Sequence, residues 1–269
     1  MAKQEPNDAK KLATLLRRLK SQYKPEPPAE RDAVLQLVSA FMHWEAGLNL
    51  GETALGRLMN SVVDVNELRV TLEHELVEVI GENYPLAHER IARMHEALNE
   101  IYTREYDVRM NTIASASKKE QRAYLDTLPG APPYVAAEVM LVAFGGHAMP
   151  VDRKLVALLA SEGVVSPRAE PAQVESWLLR QVKADDDVNT WTLLASWAND
   201  YELPAHVARG TEPPDEPATP KLRSSARRKK TTKKKTSTTA KKKIARRTTQ
   251  RSRTTKKKAS KSTSSSKKK

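Results

Sequence analysis

The segment from Leu128 to Ala136 reads Leu-Pro-Gly-Ala-Pro-Pro-Tyr-Val-Ala, and it is followed by Ala143-Phe144-Gly145 and by Pro150-Val151-Asp152. Proline and glycine at its start are typical of a tight turn. The apolar run from Pro133 to Phe144 predicts a helix, because proline is favourable in a first helical turn. Asp152 is a residue type suited to an N-cap, so another helix is expected to begin there. The segment therefore predicts a turn, a buried helix, a loop and a second helix.

Apolar residues at helical spacing continue on both sides of this segment. The further predicted helices cover residues 12–23, 31–44, 49–63, 73–80, 85–101, 118–128, 171–182 and 188–201. Strand-like alternation is absent, so residues 1–203 are interpreted as an all-α body, either one unit or two helical lobes. Residues 204–219 are rich in proline and are predicted to be a linker.

The last fifty residues, 220–269, form a strongly basic segment that we call the tail; it holds 23 Lys and Arg and no Asp or Glu. Since the whole chain carries +13, residues 1–219 keep 23 basic against 33 acidic residues, a net charge of −10. Only Leu222 and Ile244 are large apolar residues in the tail, too few to offset roughly 1–2 kcal/mol of ordering entropy per residue. We therefore predict a disordered, DNA-binding polycation, which resembles the C-terminal tail of linker histones in composition.

The tail is expected to contact the phosphate backbone of double-stranded DNA, because Lys and Arg clusters without aromatic residues suit phosphates rather than bases. The predicted DNA-binding residues of the tail are Arg227, Arg228, Lys229, Lys230, Lys233, Lys234, Lys235, Lys241, Lys242, Lys243, Lys256, Lys257 and Lys258. An RNA tether, a tether to anionic membranes and a nuclear localisation signal are the competing interpretations.

Composition excludes several kinds of site. The sequence contains no cysteine, so disulfides, thiolate zinc sites and a cysteine nucleophile are excluded. The N-terminus lacks an apolar stretch, and no apolar run approaches the ~18 residues of a membrane span. We expect a soluble cytoplasmic monomer that associates with the nucleoid, or with the nucleus in a eukaryote, and that has no membrane partner, metal or cofactor.

The order Leu-Pro-Gly, Ala-Phe-Gly and Val-Asp resembles the helix–hairpin–helix region of the endonuclease III superfamily of DNA glycosylases, and the resemblance spans residues 10–200. It implies a two-lobed all-α fold in which Leu128, Pro129, Gly130 and Ala131 lie against a DNA phosphate. It also implies that Asp152 is catalytic and stabilises positive charge on the sugar as a flipped-out base departs.

Four departures from the family pattern bear on function. Tyr134 occupies the position of the lysine that forms a Schiff base in bifunctional members, so strand cleavage by that route is not expected. Pro132 and Pro133 lack the N–H groups that a hairpin offers to phosphate. The proline-rich linker stands where many members have a cysteine-ligated iron–sulphur loop, which the absence of cysteine rules out here. Glu45 aligns with the glutamine that fills the space of the flipped base, and facing DNA it would repel phosphate.

Three functional hypotheses follow. The first is a monofunctional DNA N-glycosylase that acts in base-excision repair without lyase activity. The second is an inactive endonuclease III-like DNA-binding protein, anchored by its tail. The third is a lyase that uses a relocated lysine, although Lys154, two residues past Asp152, is expected to point elsewhere.

Other polar residues receive structural interpretations. Glu138, one helical turn after Tyr134, is expected on a solvated face, with the alternative that it faces the same cleft as Tyr134. The acidic run from Asp185 to Asp187 is expected to cap the following helix, with cation binding as the alternative. Trp177, Trp191 and Trp197 lie among apolar residues and are predicted to belong to the core.

Overall fold

The computed structural model describes residues 7–202 and 221–222, which all lie in one compact unit, Met1–Ser225. The proposed linker and almost all of the tail lie outside the described residues. The described helices are α1 (Ala9–Gln22), α2 (Ala33–His43), α3 (Leu48–Ser61), α4 (Val65–Val70), α5 (Glu73–Ile80), α6 (Ala87–Glu105), α7 (Asn111–Ala114), α8 (Lys118–Asp126), α9 (Pro133–Val142), α10 (Arg153–Ser161), α11 (Pro171–Gln181), a 3-10 turn (Ala184–Asp186) and α12 (Asp187–Asn199). The prediction of an all-α body is confirmed.

Two groups of helices pack around α2 and α12. Helix α2 is buried along nearly its whole length and packs against α3, α6 and α9. Helix α1, the first of the described helices, packs on α12, the last of them, and α12 also contacts α10. The two ends of the described body therefore lie side by side. Tyr23 and Asp200 join these ends through a hydrogen bond of 2.6 Å between the hydroxyl and the carboxylate.

Local departures from the predicted elements have local causes. The long helix begins at Ala87 rather than at Pro85, because Leu86 adopts a left-handed conformation with φ 53°. Short helices α4 and α7 were not predicted, since each is too short to display a helical period. The chain also forms a two-residue antiparallel pair, β1 (Tyr201–Glu202) with β2 (Lys221–Leu222). Trp177, Trp191 and Trp197 are buried, as predicted.

Asp187 departs from its expected capping role. No side chain caps α12, and Asp187 is buried and accepts a hydrogen bond of 2.5 Å from His147 Nδ1. Asp187 therefore joins the loop before α10 to the start of α12. Among the residues described, no helix has the length and apolar character needed to cross a bilayer.

The hairpin glycine is required by its surroundings. Gly130 has φ 75°, and a Cβ at this position would lie 2.3 Å from the carbonyl oxygen of Arg93 on α6. We expect Gly130→Ala to lower the free energy of unfolding by roughly 2–4 kcal/mol, because a backbone atom cannot move aside as a side chain can. Gly145→Ala is the matched control, since Gly145 has φ 58° with open space around its Cβ position. Urea unfolding of both variants measures the difference, and equal losses would contradict the packing argument.

Candidate active site at the N-terminus of helix α10

Asp152 is the N-cap of α10, as predicted, and it is only 8% exposed. Its Oδ1 accepts a hydrogen bond of 2.8 Å from the N–H of Leu155, and its Oδ2 accepts one of 3.2 Å from the N–H of Glu45. The first is the ordinary capping bond of a helix. The second joins α10 to the turn between α2 and α3, more than one hundred residues earlier in the chain.

The side chain of Glu45 makes a reciprocal contact with α10. Its Oε1 accepts a hydrogen bond of 3.2 Å from the N–H of Arg153, the first residue of α10, and the Arg153 guanidinium lies 3.8 Å from the same oxygen. Glu45 is 7% exposed. In the free protein the side chain of Glu45, which has a φ of 57°, lies against the start of α10, and its role in filling the space of the flipped base stays a prediction.

Both carboxyl groups have raised pKa values. Burial raises the pKa of Glu45 to about 8, and the nearby charge of Asp152 adds to this effect. Burial also raises the pKa of Asp152, while the two main-chain N–H donors and the charge of Lys154 act in the opposite direction. Perturbed carboxyl pairs of this kind are concentrated at functional sites.

The turn that carries Glu45 is held by Arg90, which is fully buried on α6. Its guanidinium donates to the carbonyls of Phe41 and Trp44, which end α2, and to that of Pro85. The hydroxyl of Tyr84 donates a hydrogen bond of 2.6 Å to the carbonyl of Met42. These bonds satisfy the last carbonyls of α2 and fix the path of the chain into Glu45.

Tyr134 lies on the first turn of α9, and its side chain is buried beside the carboxyl groups of Glu138 and Asp152. Burial, followed by the charges of these two carboxylates, raises the pKa of its hydroxyl well above the ordinary value. Tyr134, which the sequence resemblance places at the family's lysine position, is thus a neutral, buried phenol.

Glu138 is fully buried, so the expectation of a solvated face is wrong. Its Oε1 accepts hydrogen bonds of 2.9 Å from Gln36 Nε2 and 2.7 Å from His43 Nδ1, both on α2. His43 Nε2 lies 3.1 Å from Glu52, whose other oxygen accepts from Arg31. Sequence reasoning missed Gln36 and His43. The available signal was Glu138 itself, the single charged residue in the apolar helix α9.

Lys154 also differs from its expected orientation. It is buried and its charge acts on Asp152, and its Nζ would lie 3.3 Å from a Cβ added to Gly47. The second residue of a helix lies close enough to the N-cap for this interaction. Lys154 therefore belongs to the surroundings of the carboxyl pair.

The hairpin residues predicted to contact DNA use part of their main chain internally. The N–H of Leu128 donates to Leu125, and the N–H of Ala131 donates to Leu128, both at 3.2 Å. Pro129, Pro132 and Pro133 have no N–H. The hairpin consequently offers few main-chain donors to a phosphate.

A surface pocket of about 420 Å³ lies beside the hairpin, between α8, α9 and α11, and is separate from the carboxyl pair. Arg122 in this pocket pairs with Asp126 on α8 and with Glu175 on α11. In the described part of the chain, no group of three or more His, Asp or Glu side chains is arranged to hold a metal ion. A cysteine-ligated cluster does not fit this chain, since the sequence has no cysteine to ligate it.

No protein-family model and no curated protein sequence matches the chain. Solved structures do match. A trapped endonuclease III–DNA covalent intermediate has a TM-score of 0.56 at 16% identity, over 71% of this chain and 85% of that one. A thermostable thymine-DNA glycosylase has a TM-score of 0.52 at 17% identity, over 71% and 85% of the two chains.

The 3-methyladenine DNA glycosylase of H. pylori, bound to 1,N6-ethenoadenine, has a TM-score of 0.51 at 13% identity, over 71% of this chain and 94% of that one. The names of these neighbours refer to different bases, and their chains share one fold with about 71% of this chain. The described part of the chain therefore has the helix–hairpin–helix fold of the endonuclease III-like DNA glycosylases.

Proposed function

We propose that this protein is a monofunctional DNA N-glycosylase, which releases a damaged base and leaves the DNA strand intact. The observation that carries the proposal is the buried pair of Glu45 and Asp152 at the N-terminus of α10. A buried acidic pair and a left-handed glutamate are both unfavourable for folding, and such features are usually retained where they serve a function.

The chemistry follows from the residue types. Glycoside cleavage passes through a sugar cation, which an ionised carboxylate beside C1′ stabilises. Asp152 supplies that carboxylate, and its two main-chain N–H partners help to keep it ionised in spite of burial. Tyr134 cannot form a Schiff base, so the abasic site is expected to remain uncleaved.

Duplex DNA is the proposed partner. The neighbours named above include an endonuclease III bound covalently to DNA, and the tail carries 23 Lys and Arg. We assign most of the affinity to the tail, because residues 1–219 carry −10 and the hairpin has few main-chain donors. A monomeric state and association with the chromosome stay predictions.

A DNA-binding protein without catalysis is the second candidate, and it is favoured by the closure of the site. Glu45, Tyr134 and Asp152 are all less than a tenth exposed, so a base can enter only if the surrounding side chains move. In this case the body would serve as a scaffold that the tail anchors to DNA.

Base release decides between the two candidates. The intact chain is incubated with duplexes that each carry one of a broad set of lesions, and strands are cleaved with alkali afterwards. We expect alkali-dependent cleavage on at least one lesion, and a loss of about 10³-fold with Asp152→Asn, the size typical of losing one charge-stabilising group. Cleavage without alkali would contradict the monofunctional assignment. No cleavage on any lesion, with DNA binding intact, would favour the scaffold.

A further inference from the structure

Two carboxyl groups at the start of α10 are held in different ways. Asp152 accepts main-chain N–H bonds on both oxygens, from Leu155 and from Glu45. Glu45 accepts one main-chain bond on Oε1, and its Oε2 is buried with no hydrogen-bond partner among the residues that the structure describes. One oxygen of Glu45 is therefore left available, which is unusual for a buried polar atom.

The backbone at Glu45 is a second, independent observation. Its φ of 57° is unfavourable for a residue with a side chain, and only two other non-glycine residues in the described ranges share a positive φ. The bonds of Arg90 and Tyr84 to the end of α2 hold the chain in this conformation. Strain that is imposed by a fully buried support is typical of a positioned functional side chain.

Neighbouring cations favour the ionised form of both carboxyl groups. Lys154 acts on Asp152, and Arg153 and Arg90 act on Glu45 from α10 and α6. Two carboxylates in one dry site cannot both ionise easily, so the pair is expected to share one proton. Asp152 has two N–H donors for its negative charge and Glu45 has one, so the proton resides on Glu45, in agreement with its pKa of about 8.

We infer that Glu45 is the general acid that protonates the departing base, while Asp152 stabilises the sugar cation. The inference rests on the proposed glycosylase function and adds a second catalytic residue to it. The substrate class is a duplex in which the departing base leaves poorly unless one of its nitrogens is protonated. Pairs of carboxyls with separated pKa values divide the same roles in glycoside hydrolysis.

The reaction balances with water as the only co-reactant. The bond between C1′ and the base nitrogen breaks, and its electron pair leaves with the base. The proton of Glu45 passes to a nitrogen of that base. Water forms the new bond to C1′ and returns a proton to the Glu45 carboxylate, so the protein is regenerated and the strand keeps an abasic sugar.

The test compares Glu45→Gln with the intact chain across pH, on a lesion that the intact chain excises. We expect Glu45→Gln to lower the rate at least about 100-fold, the lower range for a general acid. The intact chain should lose activity above pH 8 as Glu45 loses its proton, and the variant should lack this alkaline limb. Glu78→Gln, an exposed change on α5, is the matched control and should behave as the intact chain does.

A second readout separates catalysis from structure. A substrate whose departing base carries an electron-withdrawing group needs less protonation, so it should restore most of the rate to Glu45→Gln and little of it to Asp152→Asn. Carboxyl carbon NMR of the chain with labelled Glu should show a resonance that titrates near pH 8 and is missing in Glu45→Gln. A loss of equal size on both substrates would indicate a structural role and overturn the inference.

The two proposals fail in different ways. If the intact chain releases no base from any lesion, the proposed function and this inference both fall. If it releases base and Glu45→Gln keeps the same rate and alkaline limb, the proposed function stands and the role of Glu45 is refuted.

Discussion

Removing residues 226–269 is expected to weaken binding to duplex DNA by about three orders of magnitude at low salt. These residues hold 21 of the 46 Lys and Arg of the chain and no acidic residue. Each phosphate that a Lys or Arg neutralises releases counterions, so about eight such contacts give a slope of about −7 in a plot of log affinity against log salt. Residues 1–225 retain a net negative charge and should show a slope close to zero.

The measurement is fluorescence anisotropy on a labelled duplex from 50 to 300 mM salt. Two full-length controls separate the effect of the charge of this segment from the effects of its length and of its residue order. A chain with the order of residues 226–269 shuffled should bind as the native chain does, and one with glutamine at every Lys and Arg of that segment should bind as weakly as the truncated chain. Equal affinity of the truncated and intact chains would show that the body supplies the phosphate contacts, against the assignment made above.

Replacing Glu138 by leucine is expected to lower the free energy of unfolding by about 3–5 kcal/mol, or the melting temperature by roughly 10 °C. Glu138 is fully buried, and its Oε1 accepts hydrogen bonds from Gln36 Nε2 and from His43 Nδ1. Leucine removes the acceptor and leaves both of these donors unpaired, which is more harmful than removing a whole ion pair. Glu138→Leu combined with His43→Leu should therefore recover most of the loss.

The ion pair of Glu138 and His43 also predicts that the free energy of unfolding depends on pH. Burial alone lowers the pKa of His43, but attraction and hydrogen bonding to Glu138 outweigh it and raise the pKa from 6.5 to about 9. A raised pKa means that the folded protein binds the proton more tightly than the unfolded chain does. The stabilisation by His43 is thus complete below about pH 6.5 and is lost as pH rises toward 9.

Thermal unfolding from pH 5 to 10 measures this effect. The free energy of unfolding of the intact chain should fall relative to that of the double variant between pH 6.5 and 9, at up to about 1.4 kcal/mol per pH unit. A constant difference in the free energy of unfolding between the two proteins across this range would mean that Glu138 does not raise the pKa of His43. The raised pKa of Glu45 causes a separate decline in the free energy of unfolding, which begins at lower pH and which Glu45→Gln removes.

Much of the fold could be predicted from sequence because its signals are local. The apolar spacing in α2 and α6, the N-cap at Asp152 and the Pro-Gly turn each depend on neighbours within a few residues. The start of α6 was misplaced at Pro85 because Leu86 adopts a left-handed conformation, which has no sequence signature. Asp152 and Tyr134 were found because they stand at fixed spacing from the hairpin.

The sequence by itself determined the helical class, the acidic body with its basic tail, the absence of cysteine ligands and the residue types at the hairpin. Only the tertiary structure decided that Glu45 folds onto α10, that Glu138 is buried against Gln36 and His43, and that Lys154 acts on Asp152. The first two of these contacts join residues about one hundred positions apart, so no local period encodes them. Their charge states follow from the same cause, because burial is set by the packing of distant helices and not by the neighbours along the chain.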